Sequence, residues 1–492
     1  MKLCLLCDLH LPKERRAIQY DVLEWAIRDI SEQRPDCILF AGDATADGDR
    51  DSFEFFLSRL ESTGIPFLLV PGNSDLRDGA SRAAIRGMVS ECENVIGGVR
   101  IFAVNDCDRT VSDEQLCALE RADAGSVVFL HHPIGCLYEP SRERMQRWRD
   151  SHPAVKLFFG HEHVSSIDGN DVSLQALDPD KAIGECPCLT YFETGTGTME
   201  KSFFPCPLPD DLADCFGVSC YHPRDDIRFA IRHGLKYLEL RPKILLEDEG
   251  EIADLIAEWK KRGGVQLSVH LPDVSYQDGR AVAQPGYEEL IALGIKLGAG
   301  RFTQHVPDVP VAIAESDENV LPAIARFVSD RLRSVPPECT VGVENMHMTE
   351  KDEPNENRRF GYLPEEVLRF ETLLKGLCRQ KVGVNFDIGH ARNNAPYSVR
   401  YPIGTWLAVL GGEIVGYHLH QVRENAGKYE NHMPIEEVYG RLISFASFFR
   451  CWSERRINHA PAIFEIRTKG GYEITLNAFR NAAHEKAPSG LC

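Results

Sequence analysis

Leu3-Cys4-Leu5-Leu6-Cys7-Asp8-Leu9-His10 opens the chain with an apolar run that stops at two metal-ligand residue types. A short, bounded apolar run reads as a buried strand. Polar residues just past its end lie where layered α/β folds place their sites. Working outward, the pattern recurs at Cys37–Phe40, Phe67–Val70, Val127–Leu130 and Leu157–Phe159. Between the first two runs, Glu14–Glu32 is a helix candidate, with Ile18, Val22, Trp25, Ala26 and Ile30 near helical spacing and Pro35 as its stop. The strand ends carry, in order, Asp8 and His10; Asp43 in Ala-Gly-Asp-Ala; Asn73 in Pro-Gly-Asn-Ser-Asp; His131 and His132; and His161 and His163 in Gly-His-Glu-His. This alternation predicts an α/β layered domain.

Mixed oxygen and nitrogen donors of this kind suit Mn, Fe or Zn. Two ions bridged by one carboxylate clamp a phosphate, lower the pKa of a bound water and stabilise in-line displacement. Any one of these histidines alone is better read as a core or helix-cap residue; five strand ends in succession are not. The ordered motifs Asp8-Leu-His10, Gly42-Asp43, Gly72-Asn73-Ser74-Asp75, His131-His132 and Gly160-His161-Glu162-His163 resemble those of calcineurin-like metallophosphoesterases. The resemblance implies an αββα layered domain and a two-metal site with ligands Asp8, His10, Asp43, Asn73, His131, His161 and His163, Asp43 bridging. One departure is Ser74, where many members have a His that assists the leaving group. A general acid contributes about 10²–10⁴-fold, so its absence favours good leaving groups, with His132 as a possible catalytic substitute.

The second half repeats the alternation more regularly. Strand candidates are Cys215–Cys220, Tyr237–Leu240, Val265–His270, Arg301–His305, Thr340–Glu344, Val382–Asp387, Val415–His420 and Ala462–Ile466. Segments such as Glu251–Lys261, Val320–Leu332 and Pro364–Arg379 have helical composition, so a closed (β/α)8 TIM barrel is expected. Its strand ends carry His270, His305, Glu344, Asp387 with His390, His418 with His420, and Glu465; Glu430 and His432 lie in the loop after the seventh strand. This series resembles the xylose isomerase-like superfamily, which includes sugar epimerases and endonuclease IV. The resemblance implies a shared metal site of Glu344, Asp387, His418 and Glu465, with His420 an alternative to His418, and a substrate- or metal-contacting His390. In the isomerase branch one metal polarises the substrate while Glu344 and Glu465 move a carbon-bound proton. The endonuclease branch uses three zinc ions, and His270, His305, His432 and Glu430 match its additional ligands. One to three Mn or Zn ions are therefore expected in the barrel.

Length and charge bound the rest. The chain has 492 residues and a formal net charge of −19. Residues 1–205 carry 21 basic and 34 acidic residues, and the remainder 34 and 40, so neither half is basic. A broad nucleic-acid surface is disfavoured, and Arg358-Arg359 is the basic cluster in sight. The alternate prolines of Phe203-Phe204-Pro205-Cys206-Pro207-Leu208-Pro209 mark a connector, dividing a phosphoesterase domain at 1–205 from a barrel at 212–485. No apolar run approaches the roughly 18 residues of a membrane helix, and the start does not read as a signal peptide. Sixteen scattered Cys read as reduced thiols in a cytoplasm. Cys4-Leu-Leu-Cys7 and Cys186-Pro-Cys188 have suggestive spacing, but nothing nearby completes a site. The expected activity is a bifunctional metalloenzyme: a phosphoesterase joined to an isomerase- or epimerase-like barrel, both acting on a phosphorylated small metabolite. A two-part nuclease is the alternative.

Overall fold

The computed structural model describes residues 1–349, 358–425 and 428–485. Their contacts divide into two compact units, Met1–Pro207 with Tyr439–Arg450, and Leu208–Val438 with the chain from Cys451 onward.

The N-terminal unit is built on two sheets. In chain order its strands are β1 (Lys2–Leu6), β2 (Cys37–Ala41), β3 (Phe67–Val70), β4 (Glu93–Ile96), β5 (Val99–Ala103), β6 (Val127–Leu130), β7 (Lys156–Phe159), β8 (Ser166–Asp168), β9 (Asp171–Ser173), β10 (Cys188–Glu193) and β11 (Met199–Phe203). One sheet has the order β11-β10-β1-β2-β3 and the other β4-β5-β6-β7-β9-β8. Alternate residues explain the layering, because successive strand side chains point to opposite faces. Leu3, Leu5 and Cys7 share a buried cluster with Leu39, Ile101, Phe129 and Phe158, drawn from both sheets. Phe102, Val128, Leu130 and Leu157, one residue out of phase, pack with Leu119, Met145 and Trp148 instead. Each fully buried Leu or Phe contributes about 1.5–3 kcal/mol.

The first helix spans Ile18–Gln33, starting later than its composition suggests. The reason is local: the Glu14 carboxylate accepts from the backbone N–H of Arg16 at 3.0 Å and closes a turn there. Likewise the helix beginning at Pro364 stops at Lys375, before Gly376, rather than at Arg379.

In the second unit β12 (Phe216–Cys220), β13 (Tyr237–Leu240), β14 (Gln266–His270), β15 (Arg301–His305), β16 (Thr340–Glu344), β17 (Lys381–Asp387), β18 (Ile414–Leu419) and β19 (Ala462–Phe464) form a closed barrel. Every neighbouring pair is parallel, and β19 returns to β12. Two antiparallel hairpins, Val274–Gln277 with Arg280–Ala283 and Gln421–Asn425 with Lys428–Met433, extend from it. Among the described residues no helix is long and apolar enough to cross a membrane, and every cysteine is a free thiol.

Candidate metal centres

In the N-terminal unit the ligand-type residues leave the strand ends through tightly bonded turns. The backbone N–H groups of Asp8 and His10 donate to the carbonyls of Gly42 (2.9 Å) and Asp43 (3.0 Å). These bonds lock the β1 and β2 loops together. Asp8, His10, Asp43, His161 and His163 all have positive φ, between 48° and 68°. That conformation costs an L-residue energy and is tolerated best by Asp, Asn and His. It turns each side chain sharply off its strand toward one point. Gly72 is required by close approach: a Cβ there would lie 2.1 Å from Asp43 Oδ1.

Asp43 occupies the middle. Its Oδ2 lies 3.2 Å from His10 Nε2 and 3.5 Å from His131 Nε2. On one side Asp8, His10 and His163 converge; on the other, His131, His132 and His161 do. Asn73 Oδ1 lies 3.2 Å from His131 Nε2. Burial alone would raise the carboxyls of Asp8 and Asp43. His163 beside Asp8, and His131 and His10 beside Asp43, reverse this and hold both below the usual carboxylate range. Against its own burial, His131 is pushed up to about 9 by Asp43, Asp8 and Asp106, while burial and the neighbouring His131 and His132 push His161 down to about 3. Asp8 Oδ1, His10 Nδ1 and His132 Nε2 are buried with no hydrogen-bond partner. A cluster of opposed donors with such orphan atoms fits a pair of divalent cations.

Three supporting residues escaped the sequence reading. Asp106 accepts from the backbone N–H of His131 (2.9 Å) and His132 (2.8 Å) and faces His132 Nδ1 at 3.1 Å. Asp178 Oδ2 sits 3.7 Å from His10 Nδ1. Buried Gln19 donates to both Asp178 and Asp180 at 2.9 Å. Carboxylates behind ligand imidazoles fix ring orientation and tautomer. Their signal was slight, a lone acid after an apolar run. Ser74 is fully buried and donates to Asp43 Oδ2 at 3.0 Å, so its hydroxyl braces the central carboxylate.

In the barrel His270, His305, Glu344 and Asp387 end their strands, and His418 is the last residue but one of its strand. His420 and Glu465 lie just past theirs, His390 sits in the short helix Ile388–Arg392, and Glu430 and His432 lie on the hairpin strand Lys428–Met433. His418 Nδ1 faces three carboxylates: Glu465 Oε2 at 2.7 Å, Glu344 Oε2 at 3.1 Å and Asp387 Oδ2 at 3.7 Å. It makes no hydrogen bond of acceptable geometry to any of them. A buried nitrogen ringed by three acids fits a divalent cation. The opposite nitrogen of His418 meets Glu239 at 3.0 Å, the carboxylate–histidine arrangement that orients metal ligands. Burial opposes ionisation here as well, yet His418 holds Glu239 down at about 2.

His270 and His305 lie 3.4 and 3.1 Å from the two oxygens of Glu344. Asp273 braces His305 from behind at 2.7 Å, and Glu344 with Asp273 pushes that imidazole up to about 10 against its burial. A third group joins Asp387, His390, His420 and His432. In it, His420 Nε2 lies 3.0 Å from Asp387 Oδ1, and His432 Nε2 is 2.7 Å from Glu465 Oε1. So His418 and His420 lie in different groups. Glu430 is not brought in. It is exposed on the hairpin strand Lys428–Met433, where Asn425 donates to it at 3.3 Å.

The sequence reading also missed the charged layer beneath these ligands. Arg241 donates to Ser219 Oγ at 2.7 Å and is ion-paired with both Glu239 and Glu465. Arg301, fully buried, lies 3.6 Å from Glu239. Tyr221 donates to Glu465 at 2.7 Å, and Asn385 to Glu344 at 2.9 Å. Charged side chains inside strands Tyr237–Leu240 and Arg301–His305 were the available signal.

A probable cyclic nucleotide phosphodiesterase of Pseudoalteromonas sp. strain SM9913 is 23% identical over 148 residues, which are 27% of this chain. The match spans 56% of that relative's length. A dimetal phosphatase of Danio rerio aligns with 39% of this chain and 92% of its own, at 14% identity and a TM-score of 0.30. A xylose isomerase domain protein of Alicyclobacillus acidocaldarius aligns with 55% of this chain and 97% of its own, at 17% identity and a TM-score of 0.37. The family model of the calcineurin-like phosphoesterases matches residues 1–165, and the chain therefore carries a calcineurin-like phosphoesterase domain there.

Proposed function

We propose that the chain is a bifunctional metalloenzyme whose N-terminal unit hydrolyses a phosphoester and whose barrel is a second metal-dependent centre for a phosphorylated small molecule. The observation that carries the first half is the position of Asp43 between two ligand groups. Asp8, His10 and His163 would hold one ion, and Asn73, His131 and His161 the other, with Mn, Fe or Zn as the fitting metals. Bound there, the pair would supply charge stabilisation for a phosphate and an activated water. The protein's own part is positioning. Asp178 and Asp106 fix imidazoles, and Ser74 fixes Asp43. Because the Ser74 hydroxyl is engaged, no side chain at that position offers a proton to a departing alkoxide. A phosphodiester with a good leaving group suits such a site, in keeping with the name of the curated relative. His132, with Nδ1 at Asp106 and Nε2 buried without a partner, is the remaining candidate donor.

For the barrel, the three overlapping ligand groups favour a multinuclear hydrolytic centre over a one-metal site. Arg358 is paired with Glu366 at 2.5 Å and Arg359 with Asp308 at 2.6 Å, so the basic pair is committed inside the fold, which supports a small substrate over nucleic acid. An isomerase or epimerase is the second reading, favoured by the approach of Glu344 and Glu465 to the same nitrogen of His418.

Metal analysis of the full chain loaded with Mn or Zn separates the readings, at about five ions for the multinuclear barrel and about three for the one-metal barrel. Solvent deuterium in a recovered sugar phosphate would establish the isomerase, and cutting of an abasic oligonucleotide the nuclease. Asp43→Asn should lower hydrolysis of bis-nitrophenyl phosphate by about 10³-fold. An unchanged rate in that variant would rule out the two-metal site.

A further inference from the structure

We propose that Cys186 and Cys206 are a redox pair, in which a hydroperoxide oxidises the accessible Cys186 thiol and Cys206 resolves it to a reversible disulfide. Neither residue touches the metal-ligand groups. The placement follows from sheet register. Strands β10 and β11 are antiparallel with Cys188 opposite Phe203, and the N–H of Phe204 continues the ladder to the carbonyl of Pro187 at 2.8 Å. One step further the two chains bring Cys186 beside the Pro205-Cys206 segment. Tyr439 closes the arrangement: the Cys186 thiol donates to its hydroxyl at 3.2 Å, and that hydroxyl donates to the Cys206 carbonyl at 3.0 Å. All three residues belong to the N-terminal unit.

The two thiols differ as an attacking and a resolving cysteine should. Cys186 is part-exposed, whereas Cys206 is fully buried. Once ionised, the Cys186 sulfur can accept from the Cys206 thiol and then from a reoriented Tyr439 hydroxyl, and this lowers Cys186 to about 7 despite the opposing effect of burial, so much of it is thiolate at neutral pH. Burial pushes up Cys4, Cys7, Cys37, Cys188 and Cys220, and it pushes up Cys206 as well, so Cys206 stays a neutral thiol and Cys186 is the attacking member of the pair. A low-pKa accessible thiol next to a second cysteine is the arrangement of a peroxide-oxidisable pair.

The steps balance. The Cys186 thiolate attacks one peroxide oxygen; the S–O bond forms, the O–O bond breaks, and hydroxide leaves and is protonated to water. The Cys206 thiol then attacks the sulfenic sulfur. The S–S bond forms, the S–O bond breaks, and the departing hydroxide takes the Cys206 proton. Two thiols lose two electrons, and the hydroperoxide is reduced to water and, for hydrogen peroxide, a second water. The loop holding Cys186 is bonded by the Ile183 N–H to the His163 carbonyl at 3.1 Å.

The test uses the full, pre-reduced chain treated with hydrogen peroxide at a few equivalents, followed by alkylation and peptide mass mapping with and without dithiothreitol. The expected result is a Cys186–Cys206 disulfide as the main cross-link, reversed by dithiothreitol, with exposed Cys117 still alkylated. In Cys206→Ser the expected product is a sulfenic acid at Cys186, trapped by dimedone at least fivefold more than at Cys117. If Cys206→Ser fails to fold, the mapping of the unaltered chain decides by itself. Cys186 remaining alkylatable after Cys117 has been oxidised would overturn the proposal, as would a main cross-link that excludes Cys206.

Discussion

The two centres use the same residue types but reach convergence by different means. In the N-terminal unit five of the seven candidate ligands adopt a left-handed backbone, and neighbouring loops hold them there through main-chain hydrogen bonds. In the barrel only His432, with φ of 60°, does so among the candidates. There the strand tilt of a closed barrel aims the side chains inward, and a layer of paired charges below sets their orientation. One centre is therefore precise because its backbone is strained into place. The other is precise because buried charges, costly to leave unpaired, admit few arrangements.

That contrast can be broken by exchanging the kind of damage done to each. Gly72→Ala changes no ligand but forces a methyl against Asp43 Oδ1, so it should lower ester hydrolysis by roughly 10²–10³-fold while leaving barrel metal in place. Hydrolysis within about twofold of the parent would show that the loop yields easily and that backbone strain is not what places Asp43.

Glu239→Ala is the matching experiment in the barrel. It removes no candidate ligand but leaves Arg301 buried without its carboxylate, and it should cost about 3–5 kcal/mol in urea unfolding. A loss below about 1 kcal/mol would mean that the charged layer is not what organises the barrel site.

Metal uptake sharpens the comparison through pH. His131 at about 9 and His305 at about 10 lie above the ordinary imidazole value, so without a cation both are protonated at neutral pH. Binding must release those protons. Affinity should therefore rise with pH, by up to about tenfold per unit per proton, and flatten only above these values. Titration calorimetry in buffers of different ionisation enthalpy would read the proton count, and a pH-independent affinity between about 6 and 8 would contradict it.

The smallest effect is expected at Ser74→Ala. The hydroxyl bond to Asp43 Oδ2 is lost, but the backbone N–H of the same residue still donates to Oδ1 at 2.7 Å. A loss of about 1 kcal/mol, or roughly fivefold in rate, should follow. A hundredfold loss would make the side chain, rather than the loop backbone, the main brace.

The same contrast explains what could be read from residues alone. Strained strand-end loops demand particular residues at fixed spacing, so Gly42-Asp43, Gly72-Asn73 and Gly160-His161-Glu162-His163 stand out without coordinates. The barrel strands were legible from their apolar runs, with ends displaced by a residue or two where a turn or a glycine intervened. What stayed hidden depends on contacts between distant strands. Glu239 meets His418, 179 residues away, and a charge inside a short strand marks it as unusual without saying which distant residue it faces. Glu430 misled for the opposite reason. Two residues before His432, it belongs on the same strand face, but the left-handed turn at His432 breaks that alternation and sends only the imidazole inward. The hairpin β4–β5 also escaped, because its strands are short and polar Glu93, Asn94 and Arg100 break up their apolar runs.

The segment Tyr439–Arg450 has a consequence for biosynthesis. It is structurally part of the N-terminal unit, with Ile443, Phe445, Phe448 and Phe449 buried, yet it is translated after the intervening residues 208–438. A ribosome adding roughly 5–20 residues per second needs about 10–50 s to cross that interval. Through all of it the nascent phosphoesterase unit lacks its final piece and leaves an apolar face uncovered, long enough for a chaperone to bind it first.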